Sequence, residues 1–409
     1  MCRRGGPVNA KLLVLASGNF VVGVSTFVIA PLLGRIGPDL DVSRTAAAQL
    51  VVVYALAYAL GGPVLTALAG HRPSRQLLCV ALAVFGAGNG LTAVAANFPG
   101  AVAARALAGV GAGVYTANAL AVARRLAPGD RQGRAVAVVV GGLTTAIVLG
   151  LPLGAWLGGA TGWRLVLGLL SLVTLLPMAA IRLLPAFGGS PAVPLAARVA
   201  PLRDRRVLAT LLATWLCLTA SWTVFNFIDE VLLEATGGDP DRQFPALLVF
   251  GAGAVAGNLL AGRLADRFGP DRTIAVVAPG LVVAVLVVPL AAVAMPPALL
   301  GIGAWAMLHW MVNVPQQMRV VAAAPEAAPV VLGLHQSTIY LGISAGGFVG
   351  SLGYGLAGRS GIGYAAFLTG LTALTALWWS FRTRHPSRPS PPPAPTHTQA
   401  PRQKKVRRS

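Results

Sequence analysis

The chain has 409 residues, of which 56% are hydrophobic and only 11% are charged. Soluble domains carry about 25% charged residues, so this composition excludes a soluble globular protein. The net charge of +20 does not indicate a nucleic-acid partner, because the basic residues lie in loops at alternate ends of long apolar runs. Three cysteines without paired spacing predict neither a disulfide framework nor a metal site, and we expect no cofactor. The chain is therefore predicted to be an all-α, multi-pass membrane protein.

Twelve apolar runs are long enough to cross a bilayer as helices of about 20 residues. They predict helices at 11–34, 46–69, 76–96, 100–126, 135–159, 164–184, 207–232, 244–265, 273–294, 297–321, 329–357 and 362–381. An even number of spans places both termini on one side of the membrane, and the loops on that side hold most of the arginines. Such an excess of positive charge marks the cytoplasmic side. We therefore predict a protein of the bacterial cytoplasmic (inner) membrane with both termini in the cytoplasm.

A stretch rich in proline, alanine and arginine divides the chain near its midpoint. It predicts two six-helix halves, at 1–184 and 207–381, joined by a cytoplasmic linker at 185–206. The segment from Leu264 to Arg267 aligns with that from Leu68 to His71, and Gly257 then aligns with Gly61. This match indicates that the halves are parallel, pseudo-symmetric repeats.

The tail at 382–409 is basic and rich in proline, serine and threonine. It cannot bury enough apolar surface to fold, so we predict that it is disordered. Two interpretations remain open, since the tail either binds anionic lipid at the membrane surface or stays solvated.

Small residues form two stripes with a period of four residues. The fifth predicted helix carries Gly142, Ala146, Gly150, Gly154 and Gly158, and the eighth carries Gly253, Gly257, Ala261 and Ala265. Such stripes allow the backbones of two helices to approach closely. The two stripes are predicted to pack against each other.

Ionisable residues inside the predicted spans are few, and each is a candidate functional group because burying charge in lipid is unfavourable. Arg105 lies two turns into the fourth helix. Its partner is expected to be Asp39 or Asp41 of an outer loop, a backbone carbonyl or a ligand. A structural pairing and a direct role in transport both remain open.

Polar residues share a face on two helices of the second half. The seventh helix carries Thr219, Thr223, Asn226 and Glu230, with Asp229 beside them, and the tenth carries His309, Asn313 and Gln316. His309 is either a proton carrier or a hydrogen-bonded packing residue, and the two acids either face inward or belong to the outer loop. The full predicted pathway for substrate and protons is Arg105, Asp229, His309, Asn226, Asn313, Asn19, Tyr58, Tyr115, Asn118, Gln336 and Tyr340.

The loop after the eighth helix carries Gly262, Asp266, Arg267, Gly269 and Arg272. This pattern resembles the signature loop of the major facilitator superfamily, in which the glycines would permit close backbone approach. The segment around Gly150, Pro152 and Gly154, followed by Trp163 and Arg164, resembles the signature of the superfamily's exporters. The likeness covers residues 9–381 and is greatest to the twelve-helix drug:proton antiporter group, including chloramphenicol-type exporters of actinobacteria.

This resemblance implies the major facilitator fold and a secondary active transporter, which is not an enzyme. We expect a monomer that exports a small amphipathic compound by alternating access in exchange for protons. The alternative is uptake of a sugar or other small metabolite, and a non-transporting receptor or membrane enzyme is a third possibility. Nucleotide-binding and nucleophilic motifs, which an enzyme would need, do not occur in the sequence.

The sequence departs from the family pattern at two places. Relatives commonly carry a carboxylate at the position of Thr26, and the first-half signature loop has Gly70 where the acid is expected. The conformational role of the loop acid would therefore rest on Asp266. Proton coupling would run through Asp229 or His309 in the second half.

Overall fold

The computed structural model describes residues 7–69, 72–127, 131–185, 188 and 195–383. Within these ranges the ordered elements are all helices, and no strand occurs. Eleven helical segments are long and apolar enough to cross a membrane. The last of them contains Ala328–Arg382, which is two helices joined at Ala357 and Gly358, where the backbone is not helical. The described chain thus makes twelve crossings, as helices must when no water is present to satisfy the backbone.

The first six helices are α1 Pro7–Phe27, α2 Gln49–Ala69, α3 Ser74–Ala93, α4 Phe98–Leu126, α5 Gln132–Thr161 and α6 Trp163–Leu183. The second six are α7 Arg205–Thr236, α8 Pro240–Phe268, α9 Pro270–Ala291, α10 Met295–Ala323, α11 at 328–356 and α12 at 359–382. The all-α fold with twelve spans is confirmed. The first prediction is too long at its end, because residues after Phe27 form separate short helices, Ala30–Leu32 and Leu33–Asp39.

We call the membrane surface at which α1 begins and α12 ends the terminal face, and the opposite surface the far face. Between α6 and α7, the short helices Leu195–Val199 and Ala200–Arg203 belong to the predicted linker. Asp204 then caps the start of α7. A hydrogen bond from the Arg206 side chain lowers the pKa of the Asp204 carboxyl group. Residues 384–409 of the predicted tail, and Gly70 and His71 of the first-half loop, lie outside the described residues.

Two helices contain breaks next to a proline. Pro152 of α5 follows a π-helical turn at Ala146–Gly150. Pro315 of α10 follows a break at Val312, between Met295–Met311 and Asn313–Ala323. Proline has no N–H to donate to the carbonyl four residues earlier, so it interrupts the hydrogen bonding of a helix. α7 also breaks between Phe225 and Ile228, where no proline occurs.

The glycine stripe of α5 packs against α1 and not against the stripe of α8. An added Cβ at Gly142 would contact the carbonyl oxygen of Ala16, and one at Gly154 would lie 2.8 Å from Val28 Cγ2. The α8 glycine Gly257 instead packs against the backbone of Met307 in α10. The predicted pairing of the two stripes is therefore wrong. A stripe of small residues shows that a helix can be approached closely, but it carries no information about which helix approaches.

Candidate transport pathway

A cavity of about 340 Å³ lies between α2, α4, α11 and the linker helix Leu195–Val199. It reaches the terminal ends of α4 and α11, at Arg124 and Pro329. Its polar lining includes Tyr58, Thr116, Gln336 and Ser337, and its apolar lining includes Leu120, Val330, Leu332 and Leu334. No carboxylate lines it among the described residues. Of the predicted pathway residues, Tyr58 and Gln336 lie on its wall.

Two predicted pathway tyrosines meet between the halves. The ring of Tyr58 in α2 stacks on that of Tyr340 in α11, with centroids 3.4 Å apart and planes 13° apart. Beside them, Ser337 Oγ donates a hydrogen bond to the carbonyl of Ala59 at 3.1 Å. Both tyrosines are buried. Tyr58 lines the cavity and stacks on Tyr340, so this pair joins α2 and α11 beside the cavity.

Arg105 is fully buried and is held by hydroxyl and carbonyl oxygens. Its Nη1 donates to Ser25 Oγ at 3.1 Å and its Nη2 to the Ser25 carbonyl at 3.2 Å. Ser25 Oγ in turn donates to Asn89 Oδ1 at 2.7 Å, and the Arg105 guanidinium lies 4.1 Å from the ring centre of Tyr54. Asp39 instead pairs with Arg164 at 2.9 Å. Of the expected partners of Arg105, the structure therefore shows the backbone carbonyl.

Three further predicted polar side chains of the first half donate hydrogen bonds to backbone carbonyls. Asn19 Nδ2 donates to the carbonyl of Val139 at 3.1 Å, linking α1 to α5. Tyr115 donates from α4 to the carbonyl of Leu15 in α1 at 2.9 Å. Asn118 donates to the carbonyl of Val114, in its own helix, at 2.8 Å. These three side chains are not on the cavity wall, although Thr116, beside Tyr115, is.

An ion-pair cluster joins the two halves at the far face. Arg44 Nη1 lies 2.6 Å from Asp229 Oδ2 and 2.9 Å from Glu230 Oε2. The same Asp229 oxygen accepts a hydrogen bond from the backbone N–H of Gly34 at 2.7 Å. We call Arg44, Asp229 and Glu230 the far-face latch. Asp229 was predicted from the sequence and Arg44 was not, although Arg44 is one of the few arginines outside the terminal face.

A second contact between the halves lies nearby. Trp156 in α5 donates from Nε1 to Asp241 Oδ1 in α8 at 2.7 Å. Deeper in the molecule, Phe27 of α1 stacks on Trp222 of α7 with centroids 5.6 Å apart. With the latch, these contacts hold the halves together at the far face, whereas the lining of the cavity extends to the terminal ends of α4 and α11.

The predicted polar residues of α7 and α10 lie in the second half. His309 Nδ1 lies 2.7 Å from Ser221 Oγ of α7, which also accepts a hydrogen bond from Trp305 Nε1 at 2.8 Å. Asn226 donates from Nδ2 to the carbonyl of Ile343 in α11 at 2.9 Å. Asn313 is buried. None of these residues lines the cavity.

The signature loop between α8 and α9 is exposed at Asp266 and Arg267. Gly269 has a φ of +84°, a conformation that favours glycine, and precedes the first turn of α9. Among the described residues nothing lies within 4 Å of a Cβ built at Gly262, so the expected close approach of another backbone is absent there.

Asp271, just beyond this loop, makes an ion pair with Arg319 of α10. Its Oδ1 lies 2.8 Å from Arg319 Nε, and the Arg319 side chain is fully buried. This contact of Arg319 was not predicted from the sequence. The indication in the sequence was that Arg319 lies one helical turn after Gln316, on the polar face of the tenth predicted helix.

Comparison with known proteins decides the family. The model of the Major Facilitator Superfamily matches residues 15–347. The chain belongs to the major facilitator superfamily. It is 33% identical over 358 residues to the inner membrane transport protein YdhP of Escherichia coli (strain K12), covering 85% of this chain and 90% of that protein.

Two further matches agree with this family. The chain is 35% identical over 278 residues to a chloramphenicol resistance protein of Streptomyces lividans, covering 66% of this chain and 70% of that one. The crystal structure of a bacterial homologue of the human lysosomal transporter Spinster, inward-facing and unoccupied, superposes with a TM-score of 0.69 at 16% identity, covering 93% and 97% of the chains. The predicted major facilitator fold is confirmed, and the protein is a multi-pass membrane transporter.

Proposed function

We propose that this major facilitator protein exports a small amphipathic compound in exchange for protons, by alternating access between its two halves. The observation that carries the proposal is the cavity between α2, α4 and α11, which reaches the terminal face while the latch of Arg44 with Asp229 and Glu230 closes the far face. The halves at 1–184 and 207–381 would rock about this site, with 185–206 as the linker.

The distribution of arginines indicates that the terminal face is cytoplasmic. The cavity then opens to the side from which an exporter takes its cargo. Its wall is mainly apolar, with hydroxyl and amide groups from Tyr58, Thr116, Gln336 and Ser337. A carboxylate to attract cations is missing from the described lining, whereas Arg124 and Arg198 lie on it. This chemistry favours neutral or anionic cargo over dications, and the chloramphenicol resistance relative supports a drug-like compound.

The proton carrier would lie outside the cavity wall, because no described acid or histidine lines it. Asp229 in the latch and His309 beside Ser221 are the two candidates that the sequence analysis named. We propose that the protein acts as a monomer, since α2, α4, α11 and the linker helix of a single chain suffice to form the cavity.

The decisive experiment uses the purified protein in liposomes with radiolabelled chloramphenicol and, in parallel, a panel of sugars. Counterflow tests for transport without an energy source, and an imposed pH gradient tests for coupling. An antiporter accumulates chloramphenicol in vesicles whose interior is acidic, because outward proton flow drives uptake. Counterflow of sugars alone, or accumulation only with an acidic exterior, would favour the uptake alternative. Absence of counterflow for every compound would favour a receptor.

A further inference from the structure

A file of buried polar side chains follows one face of α10. His309, Asn313, Gln316 and Arg319 recur at spacings of four, three and three residues, which places them on the same face. Each is at most 8% exposed, and Gln316 and Arg319 are fully buried. Polar groups in such surroundings are unfavourable unless they are hydrogen-bonded. The file therefore needs partners along its whole length.

The Arg319 end of the file lies next to the terminal face, where water is present. Arg319 Nη1 donates to Gln316 Oε1 at 2.6 Å, and Arg319 Nε donates to Asp271 Oδ1 at 2.8 Å. The Asp271 side chain is 45% exposed at the terminal face. Because Asp271 neutralises Arg319, a proton entering here does not meet an uncompensated positive charge.

The middle of the file has polar atoms without a protein partner. Asn313 Oδ1 and Gln316 Nε2 are buried, and neither has a hydrogen-bond partner among the described residues. Pro315 cannot donate to the carbonyl of Met311, at the break in α10, which leaves another acceptor at this level. Broken helices in transporters commonly expose backbone groups to coupling ions.

A buried histidine on α11 lies one helical turn beyond a residue that packs against α10. His335 is 1% exposed, and both of its ring nitrogens lack a partner among the described residues. It follows Val331 by one helical turn, and Val331 packs with Leu211 of α7 and Val320 of α10. The next residues of α11, Gln336 and Ser337, line the cavity instead. The file and the cavity thus lie on different sides of α11.

We propose that these unpaired groups hold a chain of water molecules that carries protons between Asp271 at the terminal face and His309 in the membrane interior. Buried water molecules make two to four hydrogen bonds, and the acceptors and donors here supply them. Each transfer between water molecules breaks one O–H bond and forms another, and the last breaks an O–H bond of water and forms an N–H bond of the His309 imidazole. One proton thus leaves the aqueous phase as one arrives at His309. Protons would then move by a route separate from the cavity that binds the substrate.

The file has further polar neighbours on α7, α9, α11 and α12. α7 contributes Cys217, which is buried and within electrostatic range of Arg319. α11 contributes His335, α9 contributes Asp271, and α12 contributes neutral Ser380, which accepts a hydrogen bond from Arg319 Nη2 at 2.8 Å. This inference rests on the proposed proton coupling, but the presence of water in the file is testable without it.

The first experiment measures water access. In a variant with Cys2, Cys79 and Cys217 replaced by alanine, Asn313→Cys and Gln316→Cys are reacted with Ag⁺, which enters narrow water paths. Ala306→Cys is the matched control, since it is fully buried on the same helix against Gly253 of α8. We expect the two file positions to react at least 10-fold faster than the control. Equal rates would overturn the proposal, whatever the transport activity.

The second experiment measures proton movement in liposomes with a trapped pH-sensitive dye. Asp271→Asn removes the carboxylate charge that pairs with Arg319, and His309→Gln removes the last proton acceptor, so substrate-dependent proton flux should fall at least 10-fold while counterflow stays within twofold. Glu326→Gln is the control, an exposed acid at the terminal face of the same half. Normal proton flux in both file variants would contradict the path. Absence of proton flux in the wild type, with Ag⁺ access intact, would instead contradict the proposed antiport.

Discussion

The absence of a side chain at Gly142 allows the backbones of α1 and α5 to approach closely. A Cβ built there would overlap the carbonyl oxygen of Ala16, which is backbone and cannot rotate away. The neighbouring Gly141 has no atom within 4 Å of such a Cβ. The two adjacent glycines therefore provide a matched pair, in which helix propensity changes equally and only packing differs.

We predict that Gly142→Ala destabilises the protein while Gly141→Ala does not. Overpacking at a backbone contact costs about 1–3 kcal/mol, whereas an added methyl in open space on a helix is neutral or slightly stabilising. Thermal unfolding in detergent, followed by counterflow of the folded fraction, measures both effects. Similar melting temperatures for the two variants would show that α1 and α5 adjust their spacing freely.

We expect single residues of the cavity wall to determine which compounds the protein exports. Gln336 lines the cavity, and no described carboxylate does. We predict that Gln336→Glu lowers the export of anionic compounds and raises that of cationic dyes, by about 10-fold or more for a 1.4 kcal/mol change in binding. Gln243→Glu, at the far-face start of α8 and away from the cavity, controls for added charge. An unchanged ratio of anionic to cationic export would place the substrate elsewhere.

Contacts between helix ends determine which face of the protein is open. The latch joins the segment before α2 to the last turns of α7, and Arg44 there contacts both Asp229 and Glu230. The side chains are only partly exposed, at 20%, 9% and 14%, so solvent screens the pairs incompletely. Because these contacts join different halves, they stabilise the conformation whose far face is closed and must break when it opens.

We predict that Arg44→Gln shifts the population toward the state open at the far face. Removing a partly buried pair costs on the order of 1–2 kcal/mol, equivalent to roughly a 5- to 30-fold change in the ratio of the two states. The probe is Phe27→Cys, introduced alike with and without Arg44→Gln, because position 27 is buried against Trp222 in the closed state. An impermeant thiol reagent applied from the far side should label it faster.

Arg242→Gln supplies the control for the latch. Arg242 also lies at the far face, but it pairs within its own half, with Asp239 at 3.8 Å, and is largely exposed. Its loss should leave labelling unchanged. If both variants accelerate labelling equally, the effect reflects the charge of that face, and the latch has no specific role.

At the scale of the whole molecule, the signature loop is expected to act in the conformation whose terminal face is closed, which is opposite to the one described here. Asp266 lies in the last turn of α8 and is exposed, although an acid at the C-terminus of a helix interacts unfavourably with the helix dipole. This placement suggests that Asp266 makes its favourable contacts when the terminal face is closed. The loop would then oppose the latch in the transport cycle.

We predict that Asp266→Asn favours the state described here, with the cavity open to the terminal face. Labelling of Leu120→Cys, on the cavity wall, should become faster from the terminal side, and labelling of Phe27→Cys from the far side should become slower. Transport would fall because the cycle stalls in one state. Unchanged labelling at both positions, in a variant that still inserts normally, would remove Asp266 from the cycle.

The sequence by itself determined the number of spans and the family. Twelve runs of apolar residues must form helices in lipid, because every backbone group needs an internal hydrogen bond there. The loop from Gly262 to Arg272 and the segment from Gly150 to Gly154 indicated the superfamily from local patterns alone. Tyr58 and Gln336, which were named from the sequence as pathway residues, line the cavity. They stood out because polar residues inside spans are rare.

Only the tertiary structure decided which groups meet. The α5 stripe packs on α1, Arg105 is held by Ser25 and Asn89, and Arg44 reaches Asp229 across the boundary between the halves. Helical periodicity shows which face of a helix is special, but the neighbour of that face depends on how the whole bundle packs. Arg319 illustrates the limit, because a residue near a predicted helix end is identified as buried only when α9 and α12 are seen to cover it.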